Sequence, residues 1–118
     1  MSYFTQKYNR TRKFNVDTTN FNYESLVDLY NDNGKDAIYP LTAVYINTKS
    51  KFGEAPIFAS VSFFVNAPSY MLDITRNILE DENAIADINA GKVGFKIYVY
   101  KNERFNRDCF GITFVDIQ

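Results

Sequence analysis

The chain of 118 residues has no histidine, no tryptophan, a single cysteine, three prolines and five glycines. Without histidine there is no ordinary general base near neutral pH, no Ser-His or Cys-His nucleophile pair, and no imidazole to hold a transition metal. One thiol makes neither a disulfide nor a cysteine zinc site. Cys109 lies in an apolar run, CFGITFVDI, where a buried, inert thiol is the expected role. DLYNDNGKD (28–36) has the outline of a calcium loop, but setting Gly34 at the sixth position puts Leu29 first and Pro40 twelfth, and neither is a ligand. AGKVG (90–94) has a Gly-Lys pair but neither the earlier glycine nor the following Ser/Thr of a phosphate loop. The expectation is a chain with no metal and no cofactor, one that is not an enzyme but a small binding domain. No apolar run approaches a membrane span, and the start, MSYFTQKYNR, has no apolar stretch of the secretory kind. This reads as a cytoplasmic protein of bacterial or phage origin.

What is abundant is aromatic: eleven Phe and nine Tyr, 17% of the chain, within an apolar fraction of 46%. That suffices for one compact core. Net charge is only −1, yet it is segregated. Lys7, Arg10, Arg12 and Lys13 stand without acids near the start, and residues 15–36 and 73–87 are acidic. Lys92, Lys96, Lys101, Arg104 and Arg107 then outnumber Glu103 and Asp108. Such blocks place a basic face against an acidic one, or are simply solvated surface.

Residues 1–20 read as a basic, polar arm or edge strand, with only KFNV (13–16) strand-like, and residues 21–118 as one domain. Tyr23, Leu26, Val27 and Tyr30 have helical spacing, with Asn22 as N-cap and Asn33-Gly34 as the stop. Segments 37–49 and 57–66 are β-branched and aromatic and predict a hairpin, with Pro40 at an edge or bulge. After Pro68, the stripe Met71, Leu72, Thr75, Ile78, Leu79 predicts a helix. A second short helix runs from about 82 to 90, ended by Gly91. Strands 93–100 and 109–117 around the loop 101–108 predict a closing hairpin, with Val93, Phe95, Ile97 and Val99 on one face. The fold class is therefore α+β: an antiparallel sheet or OB-like barrel of four to five strands, with a helical insertion between two hairpins and a short N-terminal helix.

If the Val/Phe/Ile/Val face is buried, Lys96, Tyr98 and Tyr100 project together from the other. Rings on which bases stack, next to cations for phosphates, are what a single-strand nucleic-acid platform needs. Lys101, Arg104, Phe105 and Arg107 extend it. Lys49, Lys51 and Phe52 form a second basic-aromatic loop, and the arm residues Lys7, Arg10, Arg12 and Lys13 a third source of cations. Tyrosine also fits any pleated surface, so a strand covered on both faces explains Tyr98 and Tyr100 equally well.

The stretches YPLTAVYINTKSKFGEAPIFASVSFFVNAP (39–68) and GKVGFKIYVYKNERFNRDCFGITFVDI (91–117), with a helix between them, resemble the pattern of small phage- and plasmid-encoded OB-fold single-stranded DNA-binding proteins. The resemblance covers roughly residues 37–117 and carries no diagnostic motif. It departs at the helix expected over 22–31 and in having no acidic tail. It implies an OB-like barrel binding single-stranded DNA through Lys96, Tyr98, Tyr100, Lys49 and Lys51. Two other classes stay open. One is a protein-binding adaptor or inhibitor from a mobile element, acting against a host nucleic-acid-binding or defence protein, with the acidic helices as mimics of nucleic acid. The other is a homo-oligomer pairing through an edge strand. No membrane partner is expected.

Overall fold

The computed structural model describes residues 14–48, 53–104 and 106–117. Among the described residues the architecture is α+β, with two sheets and three α-helices. The first sheet runs in the order β1-β5-β4-β3, from Asn22–Glu24 (β1), Ala43–Asn47 (β3), Ala55–Ala59 (β4) and Phe63–Asn66 (β5). The second has the order β2-β6-β7, from Tyr39–Pro40 (β2), Val93–Asn102 (β6) and Arg107–Asp116 (β7). The helices are α1 (Leu26–Asn33), α2 (Leu72–Leu79) and α3 (Glu82–Asn89). Among the described residues the strands form these two sheets and close no barrel.

The segment expected as one strand over 37–49 changes sheet midway. Pro40 ends β2, the edge strand of the second sheet, where its missing N–H costs nothing. The Leu41 N–H then donates to Val93 O of the second sheet, and the Thr42 N–H to Ala59 O of the first, both at 2.9 Å. The expected strand 57–66 is likewise two strands. β4 and β5 are antiparallel neighbours, turned by residues 60–62, where the Ser60 N–H donates to Phe63 O. The hairpin of β3 and β4 forms in register, Ala43 facing Ala59 and Val44 facing Phe58.

The helix read from Tyr23 with Asn22 as N-cap begins later. Residues 22–24 pair in parallel with β5, and Tyr23 lies beside Phe64, ring centroids 5.1 Å apart. Ser25 is the true N-cap: its Oγ accepts the Asp28 N–H at 3.0 Å. The apolar spacing was real, but a hydroxyl that satisfies an orphan donor outweighed it, and Tyr23 and Val27 end up exposed. Gly34 stops α1 as expected, at φ 88°, its N–H donating to Tyr30 O. Pro68 precedes a short 3₁₀ turn, Ser69–Met71, that leads into α2. Met71 and Thr75 on the expected stripe are buried, and Thr75 Oγ1 donates to Met71 O at 2.8 Å. Asp81 caps α3 by accepting from the Asn83 and Ala84 N–H groups.

The core lies between the sheets. Phe58 of the first meets Phe95 and Phe114 of the second, centroids 6.0 and 5.6 Å apart. Tyr39 stacks on Phe95 at 5.4 Å. Phe58, Phe95 and Tyr39 are buried and Phe114 partly so; each fully buried ring contributes roughly 1.5–3 kcal/mol by transfer from water, and this aromatic cluster ties the two layers together. Phe14 and Val16 of the expected KFNV strand form no strand. Phe14 instead plugs the core at 3% exposure, edge-on to Tyr45. No helix among the described residues is long and apolar enough to cross a membrane.

Candidate functional site

β6 and β7 form a long antiparallel ribbon in which Phe95 faces Phe114, Ile97 faces Ile112 and Val99 faces Phe110. Phe95, Ile97 and Ile112 are buried, so period-two alternation sends the residues between them to the other face. That outer face carries Lys96, Tyr98 and Tyr100 on β6, opposite Thr113, Gly111 and Cys109 on β7. Tyr98 and Tyr100 are 39% and 41% exposed, their centroids 5.8 Å apart at an interplanar angle of 39°. Each therefore leaves part of its ring open to solvent, and the two lie side by side.

The cations are placed unevenly. Lys96 is half-buried on the same face as the rings. Arg107, exposed, pairs with Asn102 in the register, and alternation along β7 puts it on this face too, beyond Tyr100. A row Lys96, Tyr98, Tyr100, Arg107 results, with a cation at each end. Lys101 is exposed at the end of the ribbon, but alternation assigns it to the opposite face; Arg104 is exposed in the turn. The turn is shorter than the loop expected over 101–108, because the ladder continues to the Asn102–Arg107 pair, and Asn106 takes a left-handed φ of 48°. Phe105, Lys49, Lys51, Phe52, Lys7, Arg10, Arg12 and Lys13 lie outside the described residues.

Tyr70 and Gly111, which the sequence did not point to, complete the site, together with Cys109. Tyr70, 50% exposed in the 3₁₀ turn, shares a hydrogen bond with the Tyr98 hydroxyl at 3.0 Å. Its oxygen also accepts the Ile112 N–H at 3.4 Å, a donor on the outer edge of β7, which has no strand neighbour on that side among the described residues. Gly111 sits under the Tyr98 ring: a Cβ there would fall 2.6 Å from the Tyr98 hydroxyl and 2.8 Å from that of Tyr70. Cys109, expected as a buried core thiol, is half-buried on the outer face opposite Tyr100. The hydrogen bond to Tyr70, with a smaller part from burial, pushes the Tyr98 phenol up to about 12. Burial, with Cys109 and Tyr70 nearby, raises the Tyr100 phenol as well.

Depressions also lie elsewhere among the described residues. An open groove of about 520 Å³ is lined by Tyr23, Glu24, Leu26, Val27, Asp28 and Phe110, beside the start of α1. A smaller apolar one of about 150 Å³ lies between α2, α3 and the second sheet, among Leu41, Ile78, Ile88, Val93 and Phe114. No group of three or more acidic or cysteine side chains able to hold a metal occurs among the described residues. No protein-family model, curated protein or solved structure matches this chain.

Proposed function

We propose that this is a non-enzymatic cytoplasmic protein that binds single-stranded nucleic acid on the outer face of β6 and β7. The observation that carries the reading is the row Lys96, Tyr98, Tyr100, Arg107, two adjacent half-exposed rings between two cations on one sheet face. Rings of this kind stack on any base, each contributing roughly 1–3 kcal/mol, while flanking cations take the phosphates. The pleat spaces alternate residues by about 6.7 Å, a separation that an extended single strand can follow with one base per ring. The reading agrees in ligand with the resemblance to phage- and plasmid-encoded single-stranded DNA-binding proteins, and it does not require a closed OB-like barrel. It is tested by fluorescence anisotropy of a labelled oligothymidylate at low salt. Binding that weakens on adding salt and is abolished by replacing both Tyr98 and Tyr100 with alanine is expected; no binding at low salt refutes it.

A second reading rests on the groove beside α1. Tyr23 and Val27 are exposed there next to the Glu24 and Asp28 carboxylates, a mixture suited to a basic, aromatic protein segment. A partner captured by the intact chain and lost with Glu24→Lys and Asp28→Lys, but kept with the tyrosine substitutions, would favour it.

A further inference from the structure

We propose that Gly111 and Tyr70 are positioning residues that set the Tyr98 ring in advance as a flat stacking surface; this rests on the nucleic-acid reading above. Tyr98 and Gly111 are directly paired across the ribbon. With no side chain on Gly111, the ring lies over the backbone of β7, its tip nearer than any Cβ would permit. A glycine in a strand interior is otherwise unfavourable and marks a close approach of this kind, and an aromatic ring laid over a strand glycine covers the backbone that the missing side chain exposes. The second restraint comes from 28 residues earlier in the chain, where the Tyr70 hydroxyl bonds that of Tyr98 at 3.0 Å. Tyr70 is in turn anchored on the Ile112 N–H. The tip of the Tyr98 ring thus lies against β7 and its hydroxyl is held, while the residue stays 39% exposed. A ring fixed before contact loses less conformational freedom on binding than a mobile one.

Two consequences separate positioning from bulk packing. The hydroxyl is occupied within the protein, so it does not read base edges; Tyr98→Phe, which breaks the same bond as Tyr70→Phe, should weaken binding to oligothymidylate by the same modest factor, while Tyr98→Ala lowers it about fivefold or more. Gly111→Ala meets only the movable end of Tyr98 and the Tyr70 hydroxyl, so the fold survives while the ring is displaced. It should weaken binding nearly as much as Tyr98→Ala, and should cost nothing further in a Tyr98→Ala background, because there is no ring left to displace. Tyr70→Phe should weaken binding by less and bring the Tyr98 phenol down toward its ordinary range, read by ultraviolet titration of the folded chain.

The experiment is the double-mutant cycle between positions 98 and 111, read by anisotropy with oligothymidylate at constant low salt, with far-ultraviolet circular dichroism confirming that each variant is folded. Non-additive losses support the inference. Equal losses from Gly111→Ala with or without the Tyr98 ring, or no loss from Gly111→Ala at all, overturn it while leaving the binding reading intact. If the unaltered chain fails to bind, the binding reading falls and takes this inference with it.

Discussion

Replacing Lys96 with alanine removes one of the two cations that alternation puts on the ring-bearing face, the other being Arg107. For a single strand the logarithm of the binding constant falls with the logarithm of salt at about −0.7 per phosphate neutralised. Two cations on the face give a slope of about −1.4, and hence a loss of about sevenfold between 50 and 200 mM salt. With Lys96→Ala the slope should shrink to about −0.7, and the same interval should cost only about 2.6-fold. Lys96 is half-buried and lies across from Thr113, so removing its charge should leave the ladder intact. The assay is anisotropy with oligothymidylate across a salt series, comparing the unaltered chain with Lys96→Ala and Tyr98→Ala. The tyrosine substitution should lower affinity at every salt concentration without changing the slope, because stacking releases no counterions. An unchanged slope for Lys96→Ala would mean that the phosphates run elsewhere, and the row of four residues would no longer describe the binding path.

Two further outcomes concern the fold that carries the site. Tyr39 is buried, its hydroxyl donating to Leu29 O at 3.1 Å and accepting from Asn33 Nδ2 at 3.2 Å; Tyr39→Phe should lower stability by about 1 kcal/mol, seen as a lower urea midpoint with an unchanged m value, and a midpoint that does not move would show that α1 is not tied to β2 through this hydroxyl. The Tyr98 phenol is pushed from an ordinary 10 to about 12 in the folded chain, so the folded state holds this proton more tightly than the unfolded state. Its stabilising contribution is complete below pH 10 and is lost as pH rises through about 12. Urea midpoints measured between pH 9 and 11 should therefore fall less steeply in Tyr98→Phe than in the unaltered chain, and parallel curves would refute the assignment.

The elements whose signals are local were legible in the sequence. Gly34 and Gly91 stop helices where their positive φ angles of 88° and 76° require glycine. The 71–79 stripe and the 93–99 alternation both bring residues to the core, with Met71, Thr75, Phe95 and Ile97 buried. What failed were the breaks inside continuous apolar runs. Pro40 marks an edge or bulge within 37–49, but no residue marks the change of sheet at Leu41 and Thr42, since Tyr39, Leu41, Ala43 and Val44 are all buried and the two parts differ in which sheet receives their backbone N–H groups. The parallel pairing of β1 with β5 was similarly hidden, because its partner lies some forty residues away and helical spacing offered Tyr23 a competing local role.

The site divides along the same line. That Lys96, Tyr98 and Tyr100 share a face follows from period two alone and needed no knowledge of the partner strand. Gly111 and Cys109 could be placed beneath the rings only once the register was fixed, and the register depends on where the ribbon turns. A loop over 101–108 leaves it undefined, whereas a ladder continuing to the Asn102–Arg107 pair sets Tyr98 against Gly111 and brings Arg107 onto the platform. The shift of a turn by one residue would exchange the faces of every residue on β7, putting Phe110 and Ile112 outward and Gly111 into the core. The aromatic core facing Phe58 and Phe95 forbids that exchange. The same packing that joins the two sheets therefore also selects the glycine on which the Tyr98 ring rests, and a substitution in the core that loosens the register should disturb the platform before it unfolds the chain.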